Sequence, residues 1–357
     1  MNAGQQRGRI DVGILGATGM VGQQFVRLLE HHPWFRASWL AASERSEGRL
    51  YREAASWRLP GGIPPGAAEH RLEACIPGAG PHLVFSALDA AAADTLEPAF
   101  AAAGHVVVSN ARTMRMAEDV PLLIPEINPD HLALIDVQRR NRGWSGAIVT
   151  NPNCAAVVLA MALAPLRQFG IRSVITTTLQ AVSGAGYPGV PSFDILGNVV
   201  PGIGGGEEEK IETEVNKILG SMIDGRIQFH SMLVSAHTTR VPVVDGHTLT
   251  ASVGFDRVVD PREVRDALRE WRGRPQELDL PSAPEHPIAV WDEGFRPQPR
   301  LDADCGGGMT VSVGRIRPCR LLGTKFVALG HNTVRGAAGA AILNAELMLA
   351  EGRLSSS

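Results

Sequence analysis

Residues 9–22 read RIDVGILGATGMVG, and they give the strongest indication of the fold. A short apolar run is followed by glycines at every third position, and Met20 to His32 then has apolar residues at helical spacing. This is the pattern of a strand, a tight turn and a helix. Glycine lets the backbone approach a pyrophosphate at the positive end of the helix, which predicts a dinucleotide site. The residues expected at the cofactor here are Gly16, Ala17, Thr18, Gly19, Met20 and Val21.

The rest of the first 150 residues alternates short apolar runs with Ala-rich helical segments such as 90–103. The apolar runs lie at 38–42, 83–88 and 105–109. This alternation favours a parallel sheet wrapped by helices, that is, an α/β domain of the Rossmann-type, doubly wound class.

The second half of the chain has another pattern. An apolar helix is expected from Cys154 to about Phe169, and an acidic helix from Glu207 to Leu219. The Gly- and Pro-rich stretch 183–206 is too long for a connector and is a candidate functional loop. Strands are expected at 172–182, 227–239, 247–255 and 309–317. Their β-branched alternation predicts an α+β domain with a mostly antiparallel sheet.

Length and composition limit the classes of function. At 357 residues the chain exceeds the usual size of one core, so two domains are expected. The net charge is −3 without a long basic run, and neither nucleic acid nor an anionic membrane is an expected partner. The chain lacks a signal-peptide stretch and a membrane-length apolar run, which predicts a cytoplasmic protein. Its four cysteines lack metal-type spacing, so reduced thiols and no metal site are expected.

The loop after the second predicted strand bears on the choice of cofactor. In this fold an acidic residue there holds the 2′-hydroxyl of NAD, whereas arginine and hydroxyl groups suit the 2′-phosphate of NADP. Glu44 and Arg45 therefore point to different cofactors. Because Ser43, Arg45 and Ser46 together offer a phosphate site, we expect NADP.

Asn151-Pro-Asn-Cys154 lies between a β-like run and an apolar helix. A helix amino terminus stabilises a thiolate and lowers the pKa of a thiol, so Cys154 is a candidate nucleophile. Asn153 can cap the helix or donate to a developing oxyanion. The alternative is that Cys154 is a small buried hydrophobe, the role expected of the three other cysteines, Cys75, Cys305 and Cys319.

With these residues in place, the sequence resembles the aspartate-semialdehyde dehydrogenases, in the branch typical of archaea and fungi. The resemblance extends over nearly the whole chain. The motifs that carry it are GATGMVG (16–22), SNARTMRM (109–116), IPEINPDH (124–131), NPNC (151–154), LQAVSGAGYPG (179–189), GEEEK (206–210), RVPVVDGH (240–247) and NTVRGAAG (332–339).

The resemblance implies a role for each matching residue. Cys154 would be the nucleophile and His247 the general acid and base. Arg240 would bind the substrate carboxylate, and Glu207 or its neighbour Glu208 the amino group. Further residues with implied roles are Lys210 and Arg115 for phosphate, Asn153 and Gln180 for orientation, and Ser183, Gly184, Gly186 and Asn332 beside the cofactor.

The residue types agree with one chemistry. A cysteine attacks an acyl phosphate, phosphate leaves, and the thioester accepts hydride before an aldehyde departs. The resemblance implies an NADP-dependent enzyme that reduces L-aspartyl-4-phosphate to L-aspartate 4-semialdehyde with NADPH and releases phosphate, in the biosynthesis of lysine, threonine, methionine and isoleucine. It also implies a homodimer or homotetramer built on the second domain.

Two other functions stay open at this point. A malonyl- or succinyl-CoA reductase would use the same thioester, and a non-catalytic Rossmann nucleotide sensor would leave Cys154 and His247 without a purpose. The domains are expected at 1–153, an NADP-binding domain completed by a carboxyl-terminal helix in 333–357, and at 154–332, a catalytic and dimerisation domain.

Overall fold

The computed structural model describes residues 8–354. Its first sheet has six parallel strands in the spatial order β3-β2-β1-β4-β5-β6. The strands are β1 (Ile10–Leu15), β2 (Phe35–Ala42), β3 (Glu73–Ala74), β4 (Leu83–Ser86), β5 (Val106–Ser109) and β6 (Ala147–Thr150). The order reverses between β1 and β4, and sheets of this kind bind ligands at that switch point, beyond the carboxyl ends of the strands.

Helices cover both faces of this sheet, as predicted for a doubly wound fold. They are α1 (Met20–Leu29), α2 (Tyr51–Ala54), α3 (Pro65–Ala68), α4 (Ala90–Ala102) and α5 (Leu134–Arg142). Phe25 of α1 packs in a core on one face, and Phe100 of α4 packs in a core on the other. The first helix ends three residues before the predicted His32, because Nδ1 of that histidine accepts from the N–H groups of Trp34 and Phe35 in a turn.

The glycines of the first turn are needed for close backbone packing. Gly16 has a φ of +75°, and a Cβ there would lie 2.7 Å from the carbonyl oxygen of Ala87. A Cβ on Gly22 would lie 2.3 Å from the carbonyl oxygen of Gly16. Helix α1 therefore packs directly onto the turn that begins it.

The second sheet has seven strands in the order β13-β14-β15-β12-β7-β11-β8. Two of its six pairings are parallel, β7 with β11 and β13 with β14, so the sheet is mixed and mostly antiparallel. The remaining strands, β9 and β10, form a separate hairpin, and the strand predicted at 227–239 is thus divided in two. The strands are β7 (Ile171–Gln180), β8 (Val200–Pro201), β9 (Ser221–Ile223), β10 (Arg226–Gln228), β11 (Leu233–Arg240), β12 (His247–Phe255), β13 (Ile288–Trp291), β14 (Val311–Pro318) and β15 (Thr324–Gly330).

Helices cover one face of the second sheet. The helices of this half are α6 (Cys154–Leu163), α7 (Ser192–Ile195), α8 (Glu207–Ile218), α9 (Pro261–Glu270), α10 (Arg274–Glu277), α11 (Pro299–Asp302) and α12 (Gly339–Ala350). Every residue of α6 after Cys154 is buried, which explains why that helix is apolar all round.

The predicted carboxyl-terminal helix differs from the prediction, because 334–338 is a π-helical turn and only α12 is α-helical. Its Leu343 and Leu347 pack in the core of the first sheet.

The other face of the second sheet is open over β7 and β11. Ile175, Leu179 and Leu233 are all exposed there. No helix in the described part of the chain is long and apolar enough to cross a membrane.

A wholly buried ion pair joins the carboxyl-terminal segment to the loop after residue 123. Both terminal nitrogens of Arg335 donate to the carboxylate of Glu126 at 2.7 Å, and both side chains are almost fully excluded from solvent. A buried charge whose partner is removed has no compensation, so this pair fixes the π-helical turn relative to the loop.

We predict that Glu126→Gln lowers the free energy of unfolding by about 3–5 kcal/mol, because the Arg335 guanidinium stays buried without a counter-charge. The control is Asp11→Asn, which removes a carboxylate that pairs with Arg36 at the surface and should cost less than about 1 kcal/mol. Urea denaturation measures both. Equal losses in the two variants would contradict the importance assigned to the buried pair.

Candidate active site

Cys154 begins α6 at the carboxyl edge of the first sheet, shortly after β6. The side-chain oxygen of Asn153 accepts from the N–H groups of Ala155 and Ala156 at 2.9 and 3.0 Å, so Asn153 caps the helix as expected. The Sγ atom of Cys154 lies 3.2 Å from Nε2 of His247. The fold thus brings together two residues that are far apart in the sequence.

The electrostatics of this pair differ from the sequence-based expectation. Burial raises the pKa of the Cys154 thiol to about 12, and the Glu207 carboxylate adds to the rise, although Arg115 and Arg240 oppose it. Burial, together with the charge of Arg240, lowers the pKa of His247 to about 3. The expectation of a lowered thiol pKa is wrong, because desolvation of the sulfur outweighs stabilisation by the helix terminus. Both groups are neutral in this pocket near pH 7.

One peptide group next to the pair holds two side chains of the site. Ala181 directly follows β7, and its N–H donates to Nδ1 of His247 at 3.1 Å. The carbonyl oxygen of Ala181 accepts from Nη1 of Arg240 at 2.7 Å. His247 begins β12 and Arg240 ends β11, and both strands pair with β7. The predicted acid/base and carboxylate-binding residues therefore meet at one end of three neighbouring strands.

Gly184 covers these two side chains from the 3-10 turn Val182–Ala185. A Cβ at this position would lie 2.9 Å from Nη1 of Arg240 and 2.9 Å from Cε1 of His247. Only glycine leaves room for both side chains, and its backbone closes the pocket over the imidazole.

Glu207 is the acidic residue of α8 that faces this pocket. Its carboxylate accepts from Nδ2 of Asn153 at 2.8 Å, from Nε2 of Gln180 at 3.3 Å and from Nζ of Lys210 at 3.0 Å. Burial raises the pKa of Glu207, but these hydrogen bonds and the Lys210 charge outweigh it and leave the pKa below its usual value. Glu208 instead accepts from the N–H of Thr238, which resolves which of the two neighbours points inward.

Two further charged residues of α8 were not singled out from the sequence. Glu214 accepts from Nη1 of Arg115 at 3.1 Å and from the N–H of Asn153 at 2.5 Å. Lys217 donates to the carbonyl oxygens of Arg115, Ala117 and Val120 at 2.7, 2.7 and 2.9 Å. Both side chains are buried. They follow Glu207 by seven and ten residues, so helical spacing from Glu207 is the signal that could have identified them.

A cavity of about 390 Å³ adjoins this side of the pocket. The residues that line it include Arg112, Arg115, Gly205, Lys210 and Glu214. Arg115 and Lys210, the residues predicted to hold phosphate, thus share one space. Arg112, which also lines it, donates to the carbonyl oxygen of Gly205 at 3.1 Å and adds a third cation.

The predicted cofactor residues form two groups. Gly16 to Val21 lie at the switch point, where Gly19 begins α1 without a side-chain cap and leaves the first N–H groups of the helix for a ligand. The nearby loop with Ser43, Arg45 and Ser46 follows β2 and is largely exposed. These features fit the phosphates of a dinucleotide.

The second group lies beside the Cys154 thiol and the His247 imidazole. Nδ2 of Asn332 donates to Oγ of Ser183 at 2.8 Å, and its oxygen accepts from the N–H of Gly246, next to His247. Gly184 and Gly186 belong to the same loop as Ser183. Gln24 of α1 donates to Oγ1 of Thr333 at 2.8 Å, which links the two groups. The helix that follows the glycine turn is thereby joined to the segment that carries Asn332.

The fold and the site agree with the family models that match the chain. The NAD binding domain of the semialdehyde dehydrogenases matches residues 11–135, and their dimerisation domain matches residues 163–335. The protein is thus a semialdehyde dehydrogenase in its domain composition.

Individual relatives narrow this class. Aspartate-semialdehyde dehydrogenase of Archaeoglobus fulgidus is 52% identical over 96% of this chain and 99% of its own length. The crystal structure of aspartate-semialdehyde dehydrogenase with NADP from Candida albicans superposes with a TM-score of 0.89 at 42% identity, covering 97% of this chain and all of that one. A malonyl CoA reductase (NADP) of Metallosphaera sedula is 40% identical over 97% of this chain and 98% of its own. The chain belongs to the aspartate-semialdehyde dehydrogenase family, as its motifs indicated.

We predict that Gly184→Ala lowers the kcat/KM of the dehydrogenase reaction by about 10–100-fold, because the added methyl group displaces His247 or Arg240 by a fraction of an ångström or more. The matched control is Gly204→Ala in the same loop region, where a Cβ meets nothing within 4 Å. Steady-state kinetics on both variants tests this. Normal activity in Gly184→Ala would show that the loop does not hold these side chains.

Proposed function

We propose that this protein converts L-aspartyl-4-phosphate to L-aspartate 4-semialdehyde with NADPH, through a thioester on Cys154. The observation that carries the proposal is the 3.2 Å contact between the Cys154 sulfur and His247 in a pocket that also holds Arg240 and Glu207. A half-buried thiol beside a buried imidazole suits covalent acyl transfer. The high identity to aspartate-semialdehyde dehydrogenases supports the same reaction.

The reaction has two parts, which are acyl transfer to Cys154 and reduction of the resulting thioester. The Cys154 sulfur attacks the acyl carbon, the bond from that carbon to the phosphate oxygen breaks, and a thioester forms. Bound NADPH supplies a hydride to the thioester carbon. His247 lies where it can hydrogen-bond to the sulfur and to the oxygen of the reacting carbonyl group. The carbon–sulfur bond then breaks and the aldehyde departs.

The charges in the pocket match those of aspartyl phosphate. Arg240 presents a planar guanidinium for the α-carboxylate, and Glu207 offers a carboxylate for the α-ammonium group. Lys210 and Arg115, at the edge of the 390 Å³ cavity, would bind the phosphate. Asn153 and Gln180 both donate to Glu207, so they would orient the carboxylate that receives the substrate. Every charge on the substrate then has an opposite partner.

The same proposal assigns NADP to the cofactor groups described above. Arg45, between Ser43 and Ser46, is exposed and carries the positive charge that a 2′-phosphate requires. Glu44 lies in the same exposed loop and would turn to solvent. Ser183, Gly184, Gly186 and Asn332 would surround the nicotinamide end, close to Cys154.

We also propose a homodimer that forms through the open face of the second sheet, or a homotetramer built from two such dimers. The exposed Ile175, Leu179 and Leu233 make this an apolar surface that a second copy would cover. The match of residues 163–335 to a dimerisation domain supports an interface in the second half of the chain. The domains would run from 1 to 153 with 333–357, and from 154 to 332, in a cytoplasmic enzyme.

The second candidate function is reduction of a CoA thioester such as malonyl-CoA. The relative from Metallosphaera sedula, named malonyl CoA reductase (NADP), favours it. Malonyl-CoA keeps the carboxylate that Arg240 would bind, but it lacks the ammonium group for Glu207 and a transferable phosphate. The two functions therefore differ in what they require of Glu207 and Lys210.

We predict that Glu207→Gln raises the KM for aspartate semialdehyde by about 5–150-fold, since an ammonium group without a counter-charge in a buried pocket costs about 1–3 kcal/mol. Lys210→Ala should raise chiefly the KM for phosphate. The measurement is phosphate-dependent NADP reduction in the presence of aspartate semialdehyde. Glu208→Gln is the matched control, because its carboxylate faces Thr238 instead of the pocket.

Unchanged KM values in both Glu207→Gln and Lys210→Ala would contradict the assignment of aspartyl phosphate as the substrate. Turnover that required CoA in place of phosphate would support the second function.

A further inference from the structure

A cation without a carboxylate partner lies near the first turn of α1. Arg58 follows the short helix α2 in the segment between β2 and β3, and its side chain is exposed. In the part of the chain that the structure describes, its guanidinium forms neither an ion pair nor a hydrogen bond. It lies over the ring of Tyr187 instead, with Cζ 4.2 Å from the ring centroid. The N–H donors of this guanidinium are therefore free to bind an anion.

Gln23 ties the backbone at Arg58 to the glycine turn of residues 16–22. Nε2 of Gln23 donates to the carbonyl oxygens of Thr18 at 2.9 Å and Ser56 at 3.1 Å. Its Oε1 accepts from the N–H of Arg58 at 2.8 Å. Gln23 is 2% exposed, and its own N–H donates to the carbonyl oxygen of Gly19, one helical turn earlier. Arg58 is thus held beside the N–H groups that begin α1.

The glycine turn does not supply a full positive charge of its own. Residues 16–22 contain no lysine or arginine. The start of a helix offers a phosphate group only the partial positive charge of its backbone N–H groups. A guanidinium beside these groups adds a full charge and the paired donors that suit phosphate oxygens.

Tyr187 joins this cation to the second half of the chain. It lies three residues after Gly184, whose backbone covers His247 and Arg240. The face of an aromatic ring attracts a guanidinium, and a guanidinium stacked on that face keeps the N–H groups at its edge free to donate. The contact therefore connects the segment tied to the glycine turn with the loop that covers the reaction pocket.

We propose that Arg58 binds the pyrophosphate of the dinucleotide and that Tyr187 holds the Arg58 guanidinium in place for it. The inference rests on the proposed NADP site, but it does not depend on which acyl substrate is reduced. Arg58 is a cofactor-binding residue in this scheme. Tyr187 is a positioning residue, since it acts only through the guanidinium.

Calorimetric titration of the substrate-free protein with NADPH tests the role of Arg58. We expect Arg58→Ala to raise the Kd by at least about 10-fold, because a charge-assisted hydrogen bond to the cofactor is lost. The matched control is Arg52→Ala in the same segment, where the guanidinium pairs with Glu69 at the surface. Its Kd should stay within about 2-fold of the wild-type value. Equal Kd values for Arg58→Ala and the wild type would overturn the proposal.

Adenosine 2′-phosphate distinguishes the two phosphate sites, since it carries the 2′-phosphate of NADP without the pyrophosphate. We expect Arg58→Ala to bind it as the wild type does, and Arg45→Ala to bind it more weakly. Weaker binding to Arg58→Ala would place the guanidinium at the 2′-phosphate and overturn the assignment to the pyrophosphate. Unchanged binding to Arg45→Ala would contradict the proposed 2′-phosphate site and leave the result for Arg58 intact.

The rate at which NADPH dissociates tests the role of Tyr187. Stopped-flow fluorescence should show dissociation about 2–5-fold faster in Tyr187→Ala, because the guanidinium loses its aromatic support. Tyr187→Phe retains the ring and should dissociate at the wild-type rate. The double variant of Arg58→Ala with Tyr187→Ala should dissociate no faster than Arg58→Ala alone. Fully additive effects of the two substitutions would show that Tyr187 does not act through Arg58.

Discussion

The site depends on the buried charges along one face of α8. Glu207, Glu214 and Lys217 are excluded from solvent, and a buried charge is tolerated only where its partners lie at hydrogen-bonding distance. The partners of these side chains are the loop before Cys154, the segment that carries Arg115, and the end of β7 at Gln180. Helix α8, which packs against the second sheet, thereby fixes segments at the edge of the first sheet. The nucleophile and the cavity with its three cations keep their relative positions because the alternative is an uncompensated charge.

Low solvent exposure also keeps the Cys154 thiol and the His247 imidazole uncharged. A helix amino terminus stabilises a thiolate in a site open to water, but here Cys154 is half-buried near the Glu207 carboxylate, and desolvation outweighs that stabilisation. The pocket therefore does not hold a preformed thiolate. It holds the imidazole and the cations at places where negative charge develops during acyl transfer and reduction. The two hydrogen bonds of the Ala181 peptide orient the imidazole and Arg240.

Much of this architecture could be predicted from the sequence, for identifiable reasons. Gly16 and Gly22 lie where the backbone approaches too closely for a Cβ, and a steric requirement of this kind is visible in the local sequence. Cys154 and Asn153 could be placed because a cap and a nucleophile lie next to each other in the chain. The partnership of Cys154 with His247 came from the family resemblance, since a contact across 93 residues leaves no periodic pattern.

What the sequence did not reveal depends on burial. A run of Glu and Lys on a helix looks the same whether it faces water or a partner segment, and Glu214 and Lys217 were missed for that reason. The thiol pKa was misjudged because desolvation is a property of the folded pocket and has no counterpart in a motif. The π-helical turn before α12 arises in the segment where Arg335 pairs with Glu126, again a contact between distant segments.

The central claim is that Cys154 carries the acyl group of aspartate. It is tested most directly by mixing the protein with aspartate semialdehyde and NADP in the absence of phosphate, quenching with acid, and measuring the mass of the Cys154 peptide. We expect an aspartyl thioester on Cys154 that disappears when phosphate is added, and no adduct in Cys154→Ser. An unmodified Cys154 peptide while NADP is reduced, or an adduct that is released only by CoA, would contradict it.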